Sequence, residues 1–99
     1  MQAFGLEDRW IREIRVILQS YPEIKTAKIY GSRAKAEQKI ASDIDIVIYG
    51  DDINYKTCLK LKDKLEEETS IPYFFDITHY ESISNDALKE HIDTYALEI

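Results

Sequence analysis

Residues 43–49 of this 99-residue chain, Asp-Ile-Asp-Ile-Val-Ile-Tyr, restrict the fold more than any other stretch. Their Ile and Val content, closed at once by Gly50, Asp51 and Asp52, predicts a β-strand ending in a turn. Side chains alternate between the two faces of a strand. Asp43 and Asp45 therefore project from one face, while Ile44, Ile46 and Ile48 project from the other and pack beneath a helix. Neighbouring carboxylates repel, and such a pair at the head of an apolar strand costs stability unless positive charge compensates. A divalent cation does so directly, and Mg²⁺ favours one or two carboxylates completed by substrate phosphates and water. An isolated Asp-x-Asp has a plainer explanation, in which Asp43 is solvated and Asp45 salt-bridged, so the surrounding residues decide.

Those surroundings divide into short, regular pieces. Residues 6–20 place Trp10, Ile11, Ile14, Ile17 and Leu18 at helical spacing, with Tyr21 beyond and a stop near Pro22. Residues 26–30 form a strand ending at Gly31, and residues 33–39 a short helix with Ser32 as its N-cap. Residues 54–69 form a helix with Tyr55, Cys58, Leu61 and Leu65 on one face. Pro72 opens a strand over residues 73–78, and a last helix follows over residues 85–97, capped by Asn85 or Ser84. Its inward side carries Leu88, His91 or Ile92, and Tyr95, with Ile99 just beyond. The order αβ(α)βαβα predicts an α/β (α+β) fold, a small mixed sheet of three or four strands with helices on one side. The unit over residues 43–78 supplies two parallel strands joined by a right-handed crossover. The strand before Gly31 lies too close in sequence for that and is expected to run antiparallel.

Length bounds the rest. Ninety-nine residues make one domain, residues 1–99. No stretch approaches the roughly 18 apolar residues of a membrane span, and residues 1–10 lack a signal-peptide layout. Cys58, the single cysteine, has no internal disulfide partner, which fits a cytoplasmic protein. A net charge of −6 argues against direct nucleic-acid binding, which needs a basic surface. It leaves a nucleotide substrate open, because carboxylate-bound cations reverse the local field.

Three further features keep company with the acidic pair. Asp76 stands among Tyr73, Phe74, Phe75 and Ile77, where a carboxylate needs a partner; in a strand beside residues 43–49 it completes a three-carboxylate cluster. The plainer expectation is an ion pair with a Lys or Arg from a helix. Gly31-Ser32 opens a turn that suits close approach by phosphate, and Arg33, Lys35 and Lys39 follow it. His79 and His91 do not form a zinc pair. His91 reads as a core histidine and Cys58 as packing.

The combined pattern is Gly31-Ser32, ten residues, Asp43-Ile44-Asp45, then Asp76 in a later strand. In this arrangement GSRAKAEQKIASDIDIVIYG resembles the signature of the polymerase-β-type nucleotidyltransferases, and of their minimal, MNT-type members in bacteria and archaea. The resemblance covers nearly the whole chain. It implies transfer of a nucleoside monophosphate, AMP from ATP foremost, to an acceptor hydroxyl with release of pyrophosphate. It implies two Mg²⁺ ions held by Asp43, Asp45 and Asp76, with Asp76 either metal ligand alone or also base. Gly31 and Ser32 would bind the β- and γ-phosphates, and Arg33 and Lys35 would offset triphosphate charge. The short remainder after Asp76 implies an acceptor on another molecule. Relatives pair with a helical HEPN-type protein as antitoxins, masking it or adding AMP to a tyrosine. The alternative is a catalytically silent nucleotide-binding module that neutralises a partner by direct binding; oligomerisation stays open. The sequence departs from the pattern at Ala36, where relatives often have Gly, and at Ile40-Ala41, where a Pro-Gly-like turn is common. Both departures bear on the shape of the loop.

Overall fold

The computed structural model describes residues 3–99. Its main elements are α1 (Asp8–Gln19), β1 (Thr26–Tyr30), β2 (Ile44–Tyr49), α2 (Tyr55–Glu67), β3 (Phe75–His79), α3 (Asp86–Tyr95) and β4 (Leu97–Glu98). Single 3₁₀ turns lie at Gly31–Arg33 and Tyr80–Ser82. The sheet runs β3-β2-β1-β4, with β2 and β3 parallel and β1 antiparallel to both β2 and β4. The mixed α/β fold and both strand directions agree with expectation.

The two faces of β2 separate two cores. Ile44, Ile46 and Ile48 join Ala27 and Ile29 of β1 beneath Ile11, Ile14 and Leu18 of α1 and Cys58, Leu61 and Leu65 of α2. On the other face Tyr30 and Val47 are buried with Ile92 of α3. Helices therefore cover both faces, not one. The reason lies in β2, where Val47 is as apolar as its isoleucine neighbours and needs cover on its own side.

Several boundaries differ from expectation for local reasons. Helix α1 begins at Asp8, because Phe4 and Gly5 take left-handed backbone (φ 61° and 69°) and interrupt the helical path. The last helix ends at Tyr95, because Ala96 is extended, and the tail becomes a fourth strand, just beyond which the Ile99 N–H donates to the Ala27 carbonyl. Only Ile92 of α3 is fully buried; Tyr95 is exposed and Leu88 and Ile99 are half-buried. Tyr55 is also exposed, since the stripe of α2 that meets the sheet starts at Cys58.

The expected helix over residues 33–39 does not form. Ser32 lies inside the 3₁₀ turn, whose N-cap position is Tyr30, and the chain then loops to β2. The Glu37 N–H donates to the Ser32 carbonyl (2.8 Å), and the Lys39 N–H to Ser42 Oγ (2.8 Å). Ala36 and Ala41, two positions of departure from the family pattern, both hold left-handed backbone (φ 58° and 67°). The loop thus keeps a glycine-type path with alanine in it, at a cost of about 1–2 kcal/mol for each Cβ. Ala41→Gly is expected to raise the unfolding free energy by about 0.5–1 kcal/mol, part of the relief being offset by a freer unfolded chain. Urea denaturation measures it, and an unchanged or lowered midpoint contradicts the strain.

Candidate active site

Register places the acidic residues. Tyr30 pairs with Asp45 across β1 and β2, and Asp45 pairs with Asp76 across β2 and β3. Directly paired residues share a face, so Tyr30, Asp45 and Asp76 form a row across three strands. Asp43 precedes the strand by one residue and alternates onto the same side. Asp43 and Asp76 are exposed at the rim, and Asp45 is half-buried between them. Asp76 is thus not sunk among its aromatic neighbours, because Phe75 takes the buried side of β3.

Asp45 carries the electrostatic load. Burial, then repulsion from Asp76 and Asp43, pushes its carboxyl from 3.8 up to about 6, and Arg33 only partly opposes this. Among the described residues none of the three carboxylates takes part in an ion pair, so the salt-bridge alternative for Asp45 and Asp76 is not realised. The row does not converge on one point either: among the described residues no group of three His, Cys, Asp or Glu is placed to hold a metal ion by itself. Its chemistry still fits Mg²⁺, which uses one or two carboxylates and takes its remaining ligands from phosphates and water.

Gly31 closes the site from β1. Its φ of +76° is left-handed, and a Cβ there would collide with Asp45 Oδ2. Glycine is favoured twice over, for the turn and for the carboxylate pressed against it. The Gly31 N–H donates to His91 Nε2 (3.1 Å). Tyr30, next in the row, bonds Thr78 Oγ1 through its hydroxyl (2.8 Å). Burial raises this phenol, with smaller contributions from Asp76 and Asp45, against a lowering by the Thr78 bond.

The basic residues after the turn take separate roles. Arg33 is only 3% exposed. Its Nη1 donates to the carbonyls of Phe4 (2.9 Å) and Gly5, its Nη2 to Ser42 (2.7 Å), and its Nε to Ser42 and Asp43. The guanidinium also stacks 4.8 Å from the Tyr73 ring centre. Arg33 therefore does not face the triphosphate as expected; its fork ties the segment before α1 to the residues that lead into β2. Lys35 stays at the surface, with Nζ 3.6 Å from Glu37 Oε2 and 4.9 Å above the Tyr95 ring. Ser32 is half-buried in the turn beside Gly31. His91 was the residue missed, since its place beside Ile92 on a helix suggests core packing; only the tertiary fold shows it meeting Gly31.

An acidic row stands beside a glycine turn on a small mixed sheet. Residues 12–97 match the family model described as Polymerase beta, Nucleotidyltransferase. A protein of Methanocaldococcus jannaschii described as a protein adenylyltransferase is 33% identical over 84 residues, 84% of each chain. A chain from the crystal structure of a toxin–antitoxin with AMP-PNP superimposes with a TM-score of 0.73 at 20% identity, covering 94% of this chain and 72% of that one. A chain of the tri-AMPylated Shewanella oneidensis HEPN toxin in complex with MNT antitoxin gives 0.72 at 18% identity, over 94% and 71%. This chain belongs to the polymerase-β-type nucleotidyltransferase family, and the solved structures share its fold.

Two outcomes follow from the site. A carboxyl whose folded pKa is raised favours folding when protonated, and that contribution is lost as pH rises through the folded value. In metal-free protein, Asp45→Asn is therefore expected to raise Tm above about pH 6 and to lose its advantage below 3.8. Equal gains at both pH values would contradict the raised carboxyl. Arg33→Lys, which swaps a planar fork for a point charge, is expected to lower the unfolding free energy by about 2–4 kcal/mol in urea.

Proposed function

We propose that this chain transfers AMP from ATP to a hydroxyl on a partner protein, releasing pyrophosphate, as the antitoxin-like half of a two-component system. The observation that carries this reading is the row Tyr30–Asp45–Asp76 set against the Gly31 turn. Residues 1–99 act as one catalytic unit, and the free thiol of Cys58 suits a cytoplasmic setting. No helix among the described residues is long and apolar enough to cross a membrane.

Gly31 shapes the turn on which Ser32 binds the β- and γ-phosphates, and Lys35, at the surface between Glu37 and Tyr95, adds positive charge. Asp43, Asp45 and Asp76 would hold Mg²⁺ together with the triphosphate and water, two ions by family likeness. When bound, it neutralises the carboxylate row and the charge that develops on the attacking and leaving oxygens. The acceptor oxygen forms a bond to the α-phosphorus as the bond to pyrophosphate breaks. Its proton passes to Asp76, which is exposed to an acceptor from another molecule. The partner is a helical HEPN-type protein, supported by the solved toxin–antitoxin complexes of the same fold. An acidic chain of net charge −6 does not support nucleic acid as the acceptor.

The test uses the co-expressed partner with α-labelled ATP and Mg²⁺. Label on the partner with matching pyrophosphate release is expected, and Asp45→Asn or Asp76→Asn should lower transfer by at least about a hundredfold with the circular dichroism spectrum unchanged. Undiminished transfer by Asp45→Asn would sink the assignment. Neutralisation of the partner without any label would favour the silent binding module instead.

A further inference from the structure

We propose that His91 is the positioning residue of the phosphate turn, holding the Gly31 amide so that Ser32 meets the triphosphate in one orientation. This rests on the nucleotidyl-transfer reading and adds to it a residue that touches neither the carboxylates nor the acceptor.

A left-handed glycine at the end of a strand sits in a shallow conformational well and swings easily. Here the swing is stopped from both sides. Asp45 Oδ2 packs against the Cα of Gly31, and His91 Nε2 takes its N–H at 3.1 Å. To accept that bond Nε2 must be unprotonated, which places the ring proton of the neutral imidazole on Nδ1. The ring is fixed in turn, edge-on to Tyr30 at 6.3 Å and tilted against Tyr95 at 5.3 Å. Its backbone is fixed by the next residue, Ile92, which is buried with Tyr30 and Val47. Tyr95, one helical turn further on, lies under the Lys35 ammonium, so the same helix also steadies the loop that follows the turn. The Gly31 amide is thereby committed to α3. Phosphate is left to the groups of Ser32, whose direction Gly31 sets.

The test compares His91→Ala with His91→Gln, whose Oε1 can reach the same amide in place of Nε2. In His91→Ala the KM for ATP and the Kd for Mg–AMP-PNP, measured by calorimetry, are expected to rise about tenfold, the scale of one lost hydrogen bond, with kcat within about threefold. His91→Gln should return both to within about twofold of the parent. In ¹⁵N-labelled protein the Gly31 amide should lose exchange protection in the alanine variant and keep it in the glutamine variant. The parent imidazole should show the Nδ1–H tautomer. An unchanged Kd in His91→Ala, or a glutamine variant no better than alanine, overturns the proposal. An Nε2–H tautomer in the parent protein does the same. If the parent binds Mg–AMP-PNP with this pattern yet transfers no AMP, the transfer reading fails and the positioning role stands. If it binds no Mg–AMP-PNP at all, both fall. Should His91→Ala fail to fold, the tautomer and the affinity of His91→Gln still decide.

Discussion

The repulsion between Asp45 and Asp76, held level by the parallel pairing of two strands, is the constraint around which this molecule is arranged. Charges of one sign on adjacent strands are normally avoided. They are kept here because the backbone on either side cannot yield. The isoleucines of β2 lock its register from below, since a slip of one residue would turn them onto the face of the acidic row and the carboxylates into the core. Gly31 then closes against Asp45 with no Cβ to spare. The strain is electrostatic, and a bound cation is what would relieve it.

Much of this was legible in the sequence, and the reason is periodicity. DIDIVIY states its two faces residue by residue, so the strand and the shared side of Asp43 and Asp45 follow without any tertiary information. The parallel neighbour carrying Asp76 follows from the helix between the two strands. What escaped was tertiary. Arg33 reads as a surface cation in any local window, and only the folded chain surrounds it with carbonyls from both ends of a 38-residue span between Phe4 and Ser42 (42 − 4). His91 is silent for the same reason, lying 60 positions from the amide it meets. The tail strand was hidden because two residues have no period, and Ala96 alone breaks the helix before it.

The loop between the turn and β2 shows a different kind of information. Ala36 and Ala41 carry no local preference for left-handed backbone, yet both adopt it. Bonds from Glu37 to Ser32, from Lys39 to Ser42, and from Arg33 to Ser42 define the path from outside those two residues. Hydrogen bonds within the loop thus override the preference of single residues.

The burial of Arg33 has a consequence for how the protein meets its surroundings. In a chain already short of positive charge, a strong cation has been taken out of circulation and made a strut. On the proposed function, a triphosphate approaching the row therefore finds few fixed counter-charges, and must arrive accompanied. Nucleotide and divalent ion then load as one neutralised salt. On that reading, occupancy depends on the free cation level as well as on the nucleotide.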